Sequence, residues 1–119
     1  MRKAEQDRSA ARKIFTPDCE ELAAAAFHCQ QAVEKALKAY LVLRSTSFGK
    51  THDLTHLLDL CAKHDDAFES IRADIEPLTI YAVAYRYPGP AEPTRRHVEQ
   101  AFRSVDTAWG FLSTRMPGI

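Results

Sequence analysis

The apolar residues of this chain recur every three or four positions, and no segment alternates apolar and polar residues over the length of a strand. A spacing of three and four places side chains on one face of an α-helix. Glycine is also scarce, with 4 residues in 119. The pattern therefore predicts an all-α protein.

Five helical segments follow from this spacing. Thr16-Pro17-Asp18 is expected to end the first and to cap the second. Pro77 interrupts the fourth because proline lacks a backbone donor, so that helix is expected to kink or restart near Asp74. The predicted segments are about 2–15, 19–44, 52–64, 68–85 and 94–115.

Short connections and one apolar stripe per helix indicate how these segments pack. They predict an up-and-down antiparallel bundle of four to five helices that forms a single domain over residues 1–119. A chain of this length is expected to bury roughly two thirds of its unfolded surface. Apolar residues make up 45% and charged residues 27%, which is typical of a globular protein and excludes intrinsic disorder.

The net charge argues against a global electrostatic attraction to nucleic acid or membrane. Lys and Arg number 16, as do Asp and Glu. The segment 45–85 holds three basic and seven acidic residues, and both flanks have a small basic excess, so only local charged patches are expected.

Neither export nor membrane insertion is indicated. The first ten residues, MRKAEQDRSA, lack the apolar region of a signal peptide, and the longest apolar run, Leu22 to Phe27, is too short to cross a bilayer. We therefore expect a cytoplasmic protein. Cys19, Cys29 and Cys61 are odd in number and lack C-x-x-C spacing, so we interpret them as small buried residues.

Candidate metal chemistry rests on two histidines. His52 and His56 are four residues apart, and Asp59 follows one turn later, which is compatible with a metal site on a helix. All three lie opposite the leucine stripe, where histidine usually faces water, and His52 could instead precede the helix as a cap. No metal and no cofactor is expected.

Arg86 falls in the same helical sector as the apolar residues Ile75, Leu78 and Ala82. A guanidinium in that position needs a carboxylate, and Glu34 of the second helix is the predicted partner. The pair could fix how two helices dock, or it could belong to a polar site within or between bundles.

The TRRHVEQ stretch places Arg95, Arg96 and His97 in the first turn of the last helix. The positive end of the helix and the two arginines disfavour imidazolium, so His97 is expected to be neutral at pH 7. Such a cluster would suit a phosphate, although a solvated basic surface is the simpler interpretation.

The second helix carries a block of polar residues, Gln31, Glu34, Lys35 and Lys38. Glu34 and Lys38 are correctly spaced for an ion pair worth about 0.2–0.5 kcal/mol. Ala24, Phe27 and Val42 share that side of the helix, which predicts a mixed surface suited to another helix or another chain.

Three motifs in order complete the sequence evidence. Q-A-V-E-K-A-L-K-A (31–39), T-H-D-L-x-x-L-L (51–58) and Y-R-Y-P (85–88), followed by an amphipathic helix, resemble the HEPN family, the higher-eukaryote and prokaryote nucleotide-binding domain. The resemblance covers essentially the whole chain. It implies a helical bundle that is commonly dimeric and pairs with a minimal nucleotidyltransferase in a toxin and antitoxin-like system.

The same resemblance implies candidate site residues. A polar site or subunit contact would include the block on the second helix together with His52, Arg86 and Tyr87, and it would bind a nucleotide or RNA. Many family members are metal-independent ribonucleases with an arginine, four to six residues and a histidine. Here ten residues separate Arg86 from His97, which is more than the motif has. Ribonuclease activity with these two residues is therefore kept as the alternative function.

Overall fold

The computed structural model describes residues 1–86 and 92–116, with the backbone alone for residues 84–86. Within these ranges it holds helices and no strand, which confirms the all-α bundle. The α-helices are α1 (Arg2–Ile14), α2 (Leu22–Leu43), α3 (Leu54–His64), α4 (Arg72–Ile75), α5 (Thr79–Arg86) and α6 (Arg95–Leu112).

The helix starts differ in how they are capped. The prediction that residues 16–18 cap α2 was wrong, because the backbone oxygen of Thr16 accepts from the amide of Cys19 in a separate turn and α2 begins only at Leu22, without a side-chain cap. By contrast, Asp53 caps α3, and its carboxylate accepts from the amide of Thr55 at 2.9 Å.

The predicted break in the fourth segment is confirmed. Two 3₁₀ stretches, Asp66–Ile71 and Glu76–Leu78, flank the single turn of α4. Pro77 lies in the second stretch, as expected for a residue that cannot donate a backbone hydrogen bond. The α-helix therefore restarts at Thr79 as α5.

The core forms around α2, whose inner face is fully buried. Leu37 and Leu41 are inaccessible to solvent, and each contributes about 1.5–3 kcal/mol by burial. Phe68 packs between Tyr40 and Phe111, with ring centroids 4.7 and 4.8 Å away. The long middle helix is therefore the element against which the other helices are positioned.

Contacts at both ends of α3 fix its direction. His52, just before α3, bonds to Glu34 in the middle of α2, whereas His64 at the end of α3 bonds to Thr46 beyond the end of α2. The connection after α2 therefore doubles back, and α3 runs in the same sense as α2, so this pair departs from the predicted up-and-down antiparallel order. Because the connection between α2 and α3 doubles back, His52 at its end reaches the polar block of α2.

The two ends of the bundle have different surroundings. At one end Phe15, which follows α1, stacks on Phe102 of α6 with ring centroids 5.2 Å apart. At the other end Met1, Leu43 and Met116 line one groove. Among the described residues, no helix is long and apolar enough to cross a lipid bilayer.

Candidate functional site

The polar block of α2 centres on the carboxylate of Glu34, which is 3% exposed. One oxygen accepts from the Nε2 of Gln30 at 2.9 Å and lies 2.9 Å from the Nδ1 of His52. The other oxygen accepts from the Nζ of Lys38 at 3.1 Å, as the spacing predicted. These partners satisfy both oxygens of a buried carboxylate, which would otherwise be costly to remove from water.

Two amides extend this network. Gln31 donates to the side-chain oxygen of Gln30 at 3.2 Å, and Gln30 donates to the backbone oxygen of His52 at 3.4 Å. Both glutamines are buried. Gln31 and Glu34 therefore lie in the interior of the protein. The side chains of Lys38 and His52 remain 21% and 54% exposed. Gln31 and Glu34 of the predicted mixed surface are thus buried within the chain, and a role of this block in ligand binding or in a subunit contact remains a prediction.

Lys35 belongs to a second cluster that the sequence analysis did not identify. Its Nζ donates to Asp7 of α1 at 2.5 Å, and the other oxygen of Asp7 lies 2.8 Å from the Nδ1 of His28. Asp7 lies on the same stripe as the buried Ala4 and Ala11, so an acid on an apolar stripe was the available signal. This cluster joins α1 to α2.

A cleft of about 560 Å³ lies between α5 and the start of α6. Its volume is within the usual range of ligand sites, about 300–1,000 Å³. The lining is mostly apolar, with the ring of Tyr81 and two acidic side chains, one of which accepts from Arg72 at 3.1 Å. The lining residues are Glu76, Pro77, Ile80, Tyr81, Glu92, Pro93 and His97.

His97 in this cleft also has a structural role. Its Nδ1 accepts from the amide of Thr94 at 3.1 Å, and the hydroxyl of Thr94 accepts from the amide of His97 at 3.3 Å. This reciprocal pair is a capping box in which histidine occupies the position usually held by Glu or Gln. The lone pair of Nδ1 is therefore engaged, and the ring proton is on Nε2, which is a donor.

The two arginines beside His97 differ in their surroundings. The guanidinium of Arg95 lies over the ring of Phe15 at 4.2 Å and donates to the backbone oxygen of Thr16 at 3.0 Å. It thereby fastens α6 to the end of α1. Arg96 is exposed, so it is the residue of this turn available to an anionic ligand.

The side chain of Arg86 and the whole of Tyr87 lie outside the described residues. The predicted pair between Arg86 and Glu34 therefore remains a prediction. Arg86 is the last residue of α5, seven positions before the buried Pro93. Arg86 and His97 thus bracket the connection from α5 to α6.

The metal hypothesis gains no support from the described residues. His52 contacts Glu34, Asp59 pairs with Arg72 at 2.8 Å, and within residues 1–86 and 92–116 no three His, Cys, Asp or Glu side chains form a group that could hold a metal ion. Burial raises the pKa of both Cys29 and Cys61 to about 12, so these thiols are protonated at neutral pH. Cys19 is partly buried.

A family model described as HEPN domain matches residues 1–114 of the 119. No curated protein and no solved structure matches.

Proposed function

The chain belongs to the HEPN domain family, and from this premise we propose that it is a small dimerising HEPN module that partners a minimal nucleotidyltransferase in a toxin and antitoxin-like pair. Family membership supports a nucleotide- or RNA-related function in general. The proposal adds three statements to this general function. The chain forms a homodimer, it binds one protein partner, and it binds a nucleotide or RNA at the cleft between α5 and α6.

The observation that carries the proposal is an exposed apolar face formed by Ile80 and Val83 of α5 together with Pro77 of the preceding 3₁₀ stretch, which we call the α5 outer face. Ile80 is 63% and Val83 57% exposed, and the two are three residues apart on one side of the helix. Contiguous exposed apolar side chains mark interaction surfaces. In a two-fold dimer the same patch from each chain packs on the other, which would bury all of these residues.

The α5 outer face is continuous with the cleft, because Pro77 and Ile80 line both. A dimer formed on this face would bring the clefts of the two chains close together. The apolar walls and the Tyr81 ring favour a nucleobase inside the cleft, where stacking on an aromatic ring contributes about 1–3 kcal/mol per base. Arg96 and the Nε2 proton of His97 could then contact phosphate.

The capping geometry favours binding over catalysis. A general base needs a free lone pair, and the one on His97 accepts from the Thr94 amide. Proton abstraction by this ring would require the cap to open. His97 in its capping position is therefore a hydrogen-bond donor to a ligand, which is consistent with the ten residues that separate it from Arg86.

Co-expression tests the protein partner. The tagged chain is expressed with a minimal nucleotidyltransferase whose reading frame adjoins its own, and the purified material is analysed by light scattering. We expect one complex that contains both proteins and two copies of this chain. Elution of the tagged chain without the nucleotidyltransferase, at salt concentrations from low to physiological, would contradict the proposal.

The alternative function is a metal-independent endoribonuclease built on Arg86 and His97. The observation that favours it is the position of His97, exposed at a cleft of ligand size beside Arg96. It predicts cleavage of single-stranded RNA or tRNA in EDTA and loss of cleavage in His97→Gln, a variant that can preserve the cap. Intact RNA after incubation with the wild-type protein would exclude this alternative.

A further inference from the structure

The cleft between α5 and α6 contains a carboxylate that is free to bind a ligand. Glu92 is exposed and lines the cleft together with Tyr81. Among the described residues, none donates a hydrogen bond to Glu92 or pairs with it. Glu76, the other acid of the cleft, accepts from Arg72 at 3.1 Å. Glu92 is therefore the acid of this cleft that has both oxygens available.

The surroundings of Glu92 restrict where its carboxylate can lie. The next residue, Pro93, is buried, and Thr94 caps α6. A residue before proline is restricted to extended conformations, which limits the directions that the Glu92 side chain can take. Tyr81 of the same cleft is partly buried and packs against core residues, so its ring is also held in place. The cleft therefore offers a fixed ring and a positioned acceptor, which are the requirements of a selective site.

A carboxylate distinguishes the nucleobases by the donors on their Watson–Crick edges. An ionised carboxylate accepts hydrogen bonds at both oxygens and donates none. Guanine presents adjacent donors on this edge, N1–H and the N2 amino group, which match both oxygens at once. Adenine and cytosine place a ring-nitrogen lone pair beside their amino group, and uracil places a carbonyl on each side of its N3–H. A carboxylate therefore favours guanine, because each of the other bases sets a lone pair against a carboxylate oxygen.

We infer that the cleft between α5 and α6 is selective for guanine nucleotides and that Glu92 recognises the base. The guanine ring would stack on Tyr81, and its N1–H and N2 amino group would donate to the Glu92 carboxylate. Arg96 and the Nε2 proton of His97 remain available to the phosphate. The inference rests on the proposed function, because it names the base for the nucleotide site assigned there.

Isothermal titration calorimetry with nucleoside monophosphates tests the selectivity. The wild-type chain is titrated with GMP, AMP, CMP and UMP, and with IMP, whose base keeps N1–H but lacks the N2 amino group. We expect GMP to bind at least about tenfold more tightly than AMP, CMP and UMP, and IMP to have an intermediate affinity. Equal affinities for all of these nucleotides would refute the inference and leave the proposed nucleotide site intact. No binding of any of them would contradict both.

The variant Glu92→Gln tests which residue recognises the base. Glutamine offers an acceptor and a donor side by side, which suits adenine rather than guanine. We expect the preference for GMP over AMP to fall at least about tenfold, and this ratio cancels any general gain from removing a negative charge near a phosphate. Glu20→Gln, at an exposed acid outside the cleft, is the matched control and should keep the wild-type preference. An unchanged preference in Glu92→Gln would refute the assignment.

Tyr81→Leu tests whether the nucleotide lies in the cleft. The substitution removes the stacking surface, so it should weaken binding of all the nucleotides by a similar factor, and circular dichroism checks that the fold is retained. An unchanged affinity would place the nucleotide outside the cleft and contradict the inference.

An arginine derivative tests for another class of ligand, because a guanidinium also donates to both oxygens of a carboxylate. We expect Nα-acetyl-arginine amide to bind the wild-type chain more weakly than GMP does. Binding of this compound that depends on Glu92, without binding of GMP, would overturn the inference in favour of an arginine side chain of a protein.

Discussion

Glu34 holds two segments of the chain together through one buried carboxylate. Its partners come from α2 itself and from the connection before α3. Replacing the carboxylate by an amide leaves one acceptor oxygen in place of two, so Lys38 or His52 loses its acceptor, although both remain partly exposed and can regain water. The energetic cost is therefore smaller than for a fully buried pair.

We expect Glu34→Gln to lower the free energy of unfolding by about 1–3 kcal/mol. The substitution preserves shape, so the loss reports the charge and its hydrogen bonds. Urea denaturation measures it, and Glu20→Gln on the exposed α1–α2 connection is the matched control, with an expected change within about 0.5 kcal/mol. A loss for Glu34→Gln no larger than the control would show that the network does not stabilise the fold.

Asp65 provides a pH-dependent contribution to stability. The backbone hydrogen bond from Ala67 and then the hydrogen bond from Arg115 lower the pKa of this carboxyl below its ordinary value. A lowered pKa in the folded state stabilises the fold above the ordinary pKa of about 3.9, and this stabilisation is lost as the pH falls through the folded value.

The expected result is that Asp65→Asn is less stable than the wild type at pH 7. Asparagine still accepts from Ala67, so the difference reports the charge and its pairing with Arg115. Thermal unfolding of both proteins between about pH 7 and pH 2 should show the two melting temperatures converging at the acid end. A constant difference across this range would refute the assignment.

At the scale of elements, the start of α6 depends on a histidine in an unusual capping position. We expect Thr94→Ala to lower the free energy of unfolding by about 1 kcal/mol, and His97→Ala to lower it by a smaller amount. His97→Gln should be close to the wild type, because glutamine can accept from the Thr94 amide. Chemical denaturation of the three variants measures this series, and a His97→Gln protein as unstable as His97→Ala would contradict the capping role.

The helices could be predicted from the sequence, and most of the site contacts could not. Apolar spacing depends on local geometry, so α6 was predicted close to its observed bounds, and the pair of Glu34 and Lys38 followed from positions four apart. The contact of Glu34 with His52 depends on a connection that reverses direction, which no local pattern specifies. Asp7 reaches Lys35 for a similar reason, because it requires α1 to pack on α2.

At the scale of the whole molecule, two exposed apolar surfaces lie on different helices. The α5 outer face adjoins the cleft that contains His97, and a groove lined by Met1, Ala39, Val42, Leu43 and Met116 lies where α1 begins and α2 and α6 end. The separation of these surfaces would allow one chain to form a dimer and bind another protein at the same time. Substitutions on one surface are expected to leave the other unaffected.

The mass of the purified chain in solution tests the central claim most directly. The claim is that the α5 outer face forms a homodimer, so light scattering after gel filtration should give twice the chain mass of 13.4 kDa. The double variant Ile80→Glu, Val83→Glu should give the mass of one chain, and Val42→Glu, Leu43→Glu should remain dimeric. A wild-type mass of 13.4 kDa at all concentrations up to about 100 μM, or a dimer insensitive to Ile80 and Val83, would contradict the account.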